Sequence, residues 1–122
     1  MKSLLPSEKQ IQKAIIEYLN YNNCWCWRTN AGMLKLQDKR GKTRMVKVGM
    51  KGSADIQGIY RGENNEGRFL AIEVKTPKRR NKVTFYQQQF LDMVKEYGGI
   101  SGVACSPEEA LEIVKKKRGE KF

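Results

Sequence analysis

The sequence predicts an α/β fold, a central mixed β-sheet flanked by helices, with elements in the order α-β-(basic β-ribbon)-β-β-α-β-α. Three observations predict it. Helix starts are marked at Ser7-x-x-Gln10, Thr84-x-x-Gln87 and Ser106-x-x-Glu109, where a hydroxyl and a carboxyl or amide three residues on cap each other's backbone. The polar stretch Arg61-Gly62-Glu63-Asn64-Asn65-Glu66-Gly67 separates two runs that alternate in character and reads as a hairpin loop. A short, mostly apolar run, Ile100-Ser101-Gly102-Val103-Ala104-Cys105, lies between the last two helices, as a strand buried on both faces would.

Taken in order, the first helix opens at Ser7 and carries Ile11, Ile15, Tyr18 and Leu19 at helical spacing until Asn22-Asn23. Cys24-Trp25-Cys26-Trp27-Arg28 has strand character, with both tryptophans on one face, expected to pack in the core or against the sheet. The basic segment that follows holds Lys35, Lys39, Arg40, Lys42, Arg44, Lys47 and Lys51 against the single acid Asp38, and Gln37–Lys42 reads as a turn between two short strands. After the central hairpin comes a basic loop, Thr76-Pro77-Lys78-Arg79-Arg80-Asn81-Lys82. The second helix then points Phe90, Leu91 and Val94 inward and stops at Gly98-Gly99. The last helix, with Pro107 at its first position, turns Ala110, Leu111, Ile113 and Val114 to the core before a cationic end at Lys115-Lys116-Lys117-Arg118.

Composition narrows the function. The 122 residues are expected to form one domain, 1–122, large enough to fold without staples. A formal charge of +11, from 24 Lys/Arg against 13 Asp/Glu, favours polyanionic partners, above all nucleic acid. Histidine is absent, which removes Ser-His-Asp and Cys-His catalysis, zinc hydrolases and histidine-dependent nucleases. Cys24-x-Cys26 on a strand does not suit a local disulfide or a zinc clip, so the three cysteines read as reduced thiols. Met1–Glu8 lacks the apolar core of a signal peptide and no apolar run approaches a membrane span. The expectation is a soluble, cytoplasmic protein with no membrane partner and no small-molecule substrate.

The chemistry centres on Gly52–Lys75. With a turn centred near Asn64, Asp55 lies opposite Glu73, and Glu73 shares a face with Lys75 while Ile72 and Val74 point behind. Like charges directly across a strand pair are destabilising. The arrangement makes physical sense when a divalent cation sits between the acids, and carboxylate ligands suit Mg²⁺ or Mn²⁺. Read alone, Glu8 is a first-turn acid complementing its helix dipole, and Gln87 is a reciprocal cap. The basic segments flanking Asp55 and Lys75 place cations where a phosphate backbone approaching the acids must lie. Arg28, Asn30, Lys47 and Lys51 on one side and Lys78, Arg79, Arg80 and Lys82 on the other are the candidate DNA contacts.

This ordered set resembles the PD-(D/E)xK nuclease superfamily, with its restriction-endonuclease-like fold, and more narrowly the small standalone VRR-NUC proteins of phage type. The resemblance is carried by Glu8, Arg28-x-Asn30-x-Gly32, Gly49-x-x-Gly52-Ser53-x-Asp55-Ile56, Glu73-Val74-Lys75, Gln87 and Gly98-Gly99, and spans roughly residues 7–114. Ala54 stands where the superfamily has proline. The resemblance implies that Asp55, Glu73 and the Val74 carbonyl ligate Mg²⁺, with Mn²⁺ able to substitute, and that Glu8 reaches the same ion directly or through water. Lys75 would hold the attacking water or stabilise charge on the phosphate, and Gln87 would support Lys75 or the scissile phosphate. It further implies a homodimeric, structure-selective DNA endonuclease acting on branched DNA such as Holliday junctions and leaving a 5′-phosphate. Two alternatives remain on sequence grounds: a non-catalytic basic nucleic-acid-binding module, and a superfamily nuclease acting on duplex ends or RNA.

Overall fold

The computed structural model describes residues 4–29, 32–48 and 50–116, without the side chains of 32–34 and 46–48. Its elements follow the expected order: α1 (Glu8–Asn20), β1 (Cys24–Arg28), β2 (Gly32–Gln37), β3 (Thr43–Val48), β4 (Ile56–Arg61), β5 (Gly67–Val74), a 3-10 turn (Pro77–Arg79), α2 (Phe85–Glu96), β6 (Ile100–Ala104) and α3 (Pro107–Lys115). The main sheet runs β1-β4-β5-β6, antiparallel at the first two junctions and parallel between β5 and β6, while β2 and β3 form a separate antiparallel ribbon. No described helix is long and apolar enough to cross a membrane.

Helices pack on both faces of the sheet. On one, Ile11, Ile15 and Leu19 of α1 and Ala110 and Val114 of α3 pack on Cys24, Cys26, Ile56, Leu70, Ile72 and Val74. On the other, Leu91 of α2, with Phe90 and Val94, packs on Ala54, Ala71 and Val103. Period-2 alternation along β5 divides its side chains between the two cores. Tyr18, expected inside, is 38% exposed at the rim of α1.

Capping settles the helix starts. Ser7 with Gln10 and Thr84 with Gln87 form complete capping boxes. The third start departs from expectation: the Ser106 hydroxyl accepts from the Glu109 N–H, but the Glu109 carboxylate reaches back to the Cys105 N–H and not to Ser106. At the far end of α1, the Asn20 side chain pairs with both the N–H and the C=O of Cys26, closing part of the free edge of β1.

The tryptophans correct the sequence reading. They share a face as expected, but Trp25 and Trp27 are exposed, and it is Cys24 and Cys26 that enter the core. The three cysteines are free and buried. Burial first, and then the neighbouring Cys26 thiol, pushes Cys24 up to about 12, and burial pushes Cys26 up to about 11.

Candidate active site

The central hairpin places the two acids. Its loop closes through Gly62, whose N–H donates to the Glu66 carbonyl, and Asn65 adopts the left-handed conformation (φ 62°) that asparagine tolerates. Ile56 then pairs with Ile72, so Asp55, one residue before β4, stands in the row of Glu73. Toward β5, Asp55 does not bond through its backbone, whose carbonyl faces β1. Its Oδ2 instead accepts the Val74 N–H at 2.8 Å. The N–H and C=O of one strand residue face the same neighbour. The Val74 carbonyl therefore also faces the Asp55 side, while the Lys75 N–H on the other side donates to Ala104.

Two further residues hold Asp55 in place. Thr29, just past β1, donates its N–H to the Asp55 carbonyl at 2.9 Å, and its hydroxyl reaches the carbonyls of Ala54 and Asp55. Gly52 has φ +81°, and a Cβ there would collide with the Tyr86 carbonyl at the start of α2. Only glycine lets this loop lie flat against the helix start, which brings Asp55 and Gln87 to the same site. Sequence reasoning misses Thr29, because nothing in its spacing announces a partner 26 residues away.

Glu73 is the electrostatic centre. It is 2% exposed, and Lys75 is 8% exposed. Glu73 Oε1 accepts from Gln87 Nε2 at 3.1 Å and faces Lys75 Nζ at 3.9 Å, an ionic contact longer than a hydrogen bond. Its second oxygen, Oε2, is buried without a donor among the described residues. Burial raises the Glu73 carboxyl most, the adjacent Asp55 carboxylate raises it further by its charge and closeness, Lys75 pulls it down, and Glu8 adds a smaller upward push; the result is about 8. An ionised Glu73 thus lacks one charge partner.

That deficit fits a divalent cation. An unsatisfied buried acceptor costs roughly 1–3 kcal/mol, more when charged, and hard cations take oxygen ligands of this kind. The Asp55 carboxylate lies beside that of Glu73, and the Val74 carbonyl is turned to the same strand edge as Asp55. Glu8, half-buried at the first position of α1, stands off from them and is felt by Glu73 only through its charge. Among the described residues no three His, Cys, Asp or Glu side chains draw close enough to hold a metal ion by themselves. The side-chain donors of this site are a pair, with a backbone carbonyl beside them.

The remaining expected contacts divide. Gln87 touches Glu73 rather than Lys75, and its cap persists alongside, since its Oε1 accepts the Thr84 N–H at 2.9 Å. Lys78, Arg79 and Lys82 are exposed in and after the 3-10 turn beside Lys75. Arg80 is engaged, its guanidinium 2.7 Å from Glu109 Oε2 at the start of α3, so a phosphate would have to compete for it. Arg28 is exposed at the end of β1, and Lys51 lies over the Tyr86 ring at 3.8 Å. Asn30 and Gly49 lie outside the described residues, as do the Lys47 side chain and residues 117–122.

A comparison with protein families matches residues 6–108 to the VRR-NUC domain. A search of curated proteins gave no match.

Proposed function

The chain belongs to the VRR-NUC family, whose domain is a nuclease fold, and from that premise we propose that it is a Mg²⁺-dependent DNA endonuclease that hydrolyses phosphodiester bonds in branched DNA as a homodimer. One observation carries the metal dependence: Glu73 Oε2, buried and without a donor among the described residues, in the row of Asp55. The branched substrate and the dimer rest on family resemblance, supported by a charge of +11 suited to a phosphate backbone.

Asp55, Glu73 and the Val74 carbonyl would hold the ion, with Glu8 acting through water. When bound, Mg²⁺ supplies an acidified water and neutralises charge gathering on the phosphate. Lys75, fixed beside Glu73, presents its ammonium to the phosphate oxygens or to the attacking water. Gln87 restricts the Glu73 carboxylate to one orientation. Lys78, Arg79 and Lys82 hold the backbone on the approach to Lys75. The surrounding burial strengthens each electrostatic contact.

Cleavage of matched linear duplex, flap, splayed-arm and four-way junction DNA, with Mg²⁺ or Mn²⁺, tests this reading. Wild type is expected to cut branched forms, and Asp55→Ala and Glu73→Ala to abolish cutting while retaining binding at low salt. A pure sample that leaves every form intact would refute it.

A further inference from the structure

The face of the sheet that carries Glu73 is only half covered. α2 packs over β5 and β6, and among the described residues no helix packs on β1 and β4 on that side. The pairing register lays the uncovered side chains in rows: Trp25 beside Ile59 beside Phe69, then Trp27 beside Gln57 beside Ala71, then Asp55 with Glu73. Trp25 is 71% exposed, Trp27 41%, Ile59 40% and Phe69 43%. The two indoles meet edge to face with centroids 5.4 Å apart, so one steadies the other. Adjoining exposed apolar side chains on a sheet face mark an interaction site.

We infer that Trp25 and Trp27 form a stacking platform for unpaired nucleobases, which makes the preferred substrate one with single-stranded nucleotides beside the scissile phosphate. This rests on the nuclease reading above and specifies its substrate. Strand spacing puts Trp27 about 8 Å and Trp25 about 14 Å from Asp55 along the sheet. That separation lies within reach of the first few nucleotides of an unstacked strand. A strand with its phosphate at Asp55 and Glu73 therefore brings neighbouring bases over the indoles. A base within a duplex has both π-faces covered by its neighbours, so only unpaired or terminal bases can stack there. The +11 charge of the chain suits a polyanion as the occupant of this face.

The chain contains two tryptophans, so its intrinsic indole fluorescence reports this face alone. In EDTA, titration with a short oligothymidylate is expected to quench that fluorescence, while blunt duplex of equal length quenches little. Labelled-oligonucleotide anisotropy should show Trp25→Ala/Trp27→Ala losing between about fivefold and about a hundredfold in single-strand affinity, with duplex affinity unchanged. Trp25→Phe/Trp27→Phe should recover most of that affinity, since phenyl rings also offer a face for stacking. Absence of single-strand binding, binding without quenching, or equal weakening for both DNAs overturns the platform. Fluorescence that shifts with protein concentration alone, together with a dimer that the alanine variant no longer forms on sedimentation, assigns the face to a second copy and also overturns it. Cutting by wild type in Mg²⁺ is scored separately: cutting without quenching removes only the platform, and quenching without cutting removes only the nuclease reading.

Discussion

Gln87 Nε2 donates to Glu73 Oε1 across 3.1 Å, while the other end of the same amide caps Thr84. One side chain thus ties the start of α2 to the most buried acid of the site. Gln87→Ala is expected to remove both hydrogen bonds, at about 1–2 kcal/mol of stability, and to slow cleavage about tenfold or more at unchanged DNA affinity. Gln87→Glu keeps the cap but adds a carboxylate beside Glu73, and should cut more slowly than the alanine variant in limiting Mg²⁺. Thermal melts and single-turnover cleavage check both.

The raised Glu73 carboxyl sets a pH dependence. Its proton is held more tightly in the folded protein, to about 8, than at its ordinary 4.5. The folded state therefore binds more protons between those values, and stability falls as pH rises through them. In chelator, the contribution is full below about 4.5 and gone by about pH 8, roughly 2–5 kcal/mol in total. Melts from about pH 5 to about pH 9 should show the decline, Mg²⁺ should remove it, and Glu73→Gln should flatten it without metal.

Asp55→Asn separates structure from chemistry. Asparagine retains an oxygen for the Val74 N–H, so the fold should hold within about 1 kcal/mol. Removing the like charge beside Glu73 should also make the metal-free variant more stable than wild type near pH 8. Cleavage should fall at least about a hundredfold. A variant that melts early but still cuts would contradict the assigned role.

Gly52→Ala should destabilise by at least about 1–3 kcal/mol, combining a left-handed backbone with a collision at the Tyr86 carbonyl. The effect should appear in denaturant midpoints and in weaker Mg²⁺ protection, because Asp55 moves with the loop.

Neutralising Lys78, Arg79 and Lys82 should weaken duplex binding for every sequence and reduce the salt slope by about 0.9 for each phosphate no longer neutralised. Arg80→Ala should instead release Glu109 and disturb the start of α3, with little change in slope. Binding isotherms across salt concentrations distinguish the two.

Much of the architecture is legible in the sequence because it is local. The turn centred at Asn64 fixes the pairing of Ile56 with Ile72, and so the Asp55–Glu73 row, with no knowledge of the rest of the chain. Paired hydroxyl and amide residues announce α1 and α2 in the same way. What escapes the sequence depends on distant packing. Alternation puts Trp25 and Trp27 on one face but cannot say which face α2 leaves open. The Arg80–Glu109 pair and the Thr29 hydrogen bond to Asp55 join segments that are remote in sequence. Spacing identifies Gln87 as a cap, and only the close approach of Gly52 to α2 reveals that its amide donor lands on Glu73.

The buried thiols have a practical consequence. With Cys24 and Cys26 pushed to about 12 and 11, and Cys105 also raised by burial, hardly any thiolate exists at neutral pH. A cysteine introduced at an exposed ribbon position, as in Lys39→Cys, would react with maleimide almost alone. Site-selective dyes or spin labels could then follow the ribbon onto DNA without first stripping the native sulfurs.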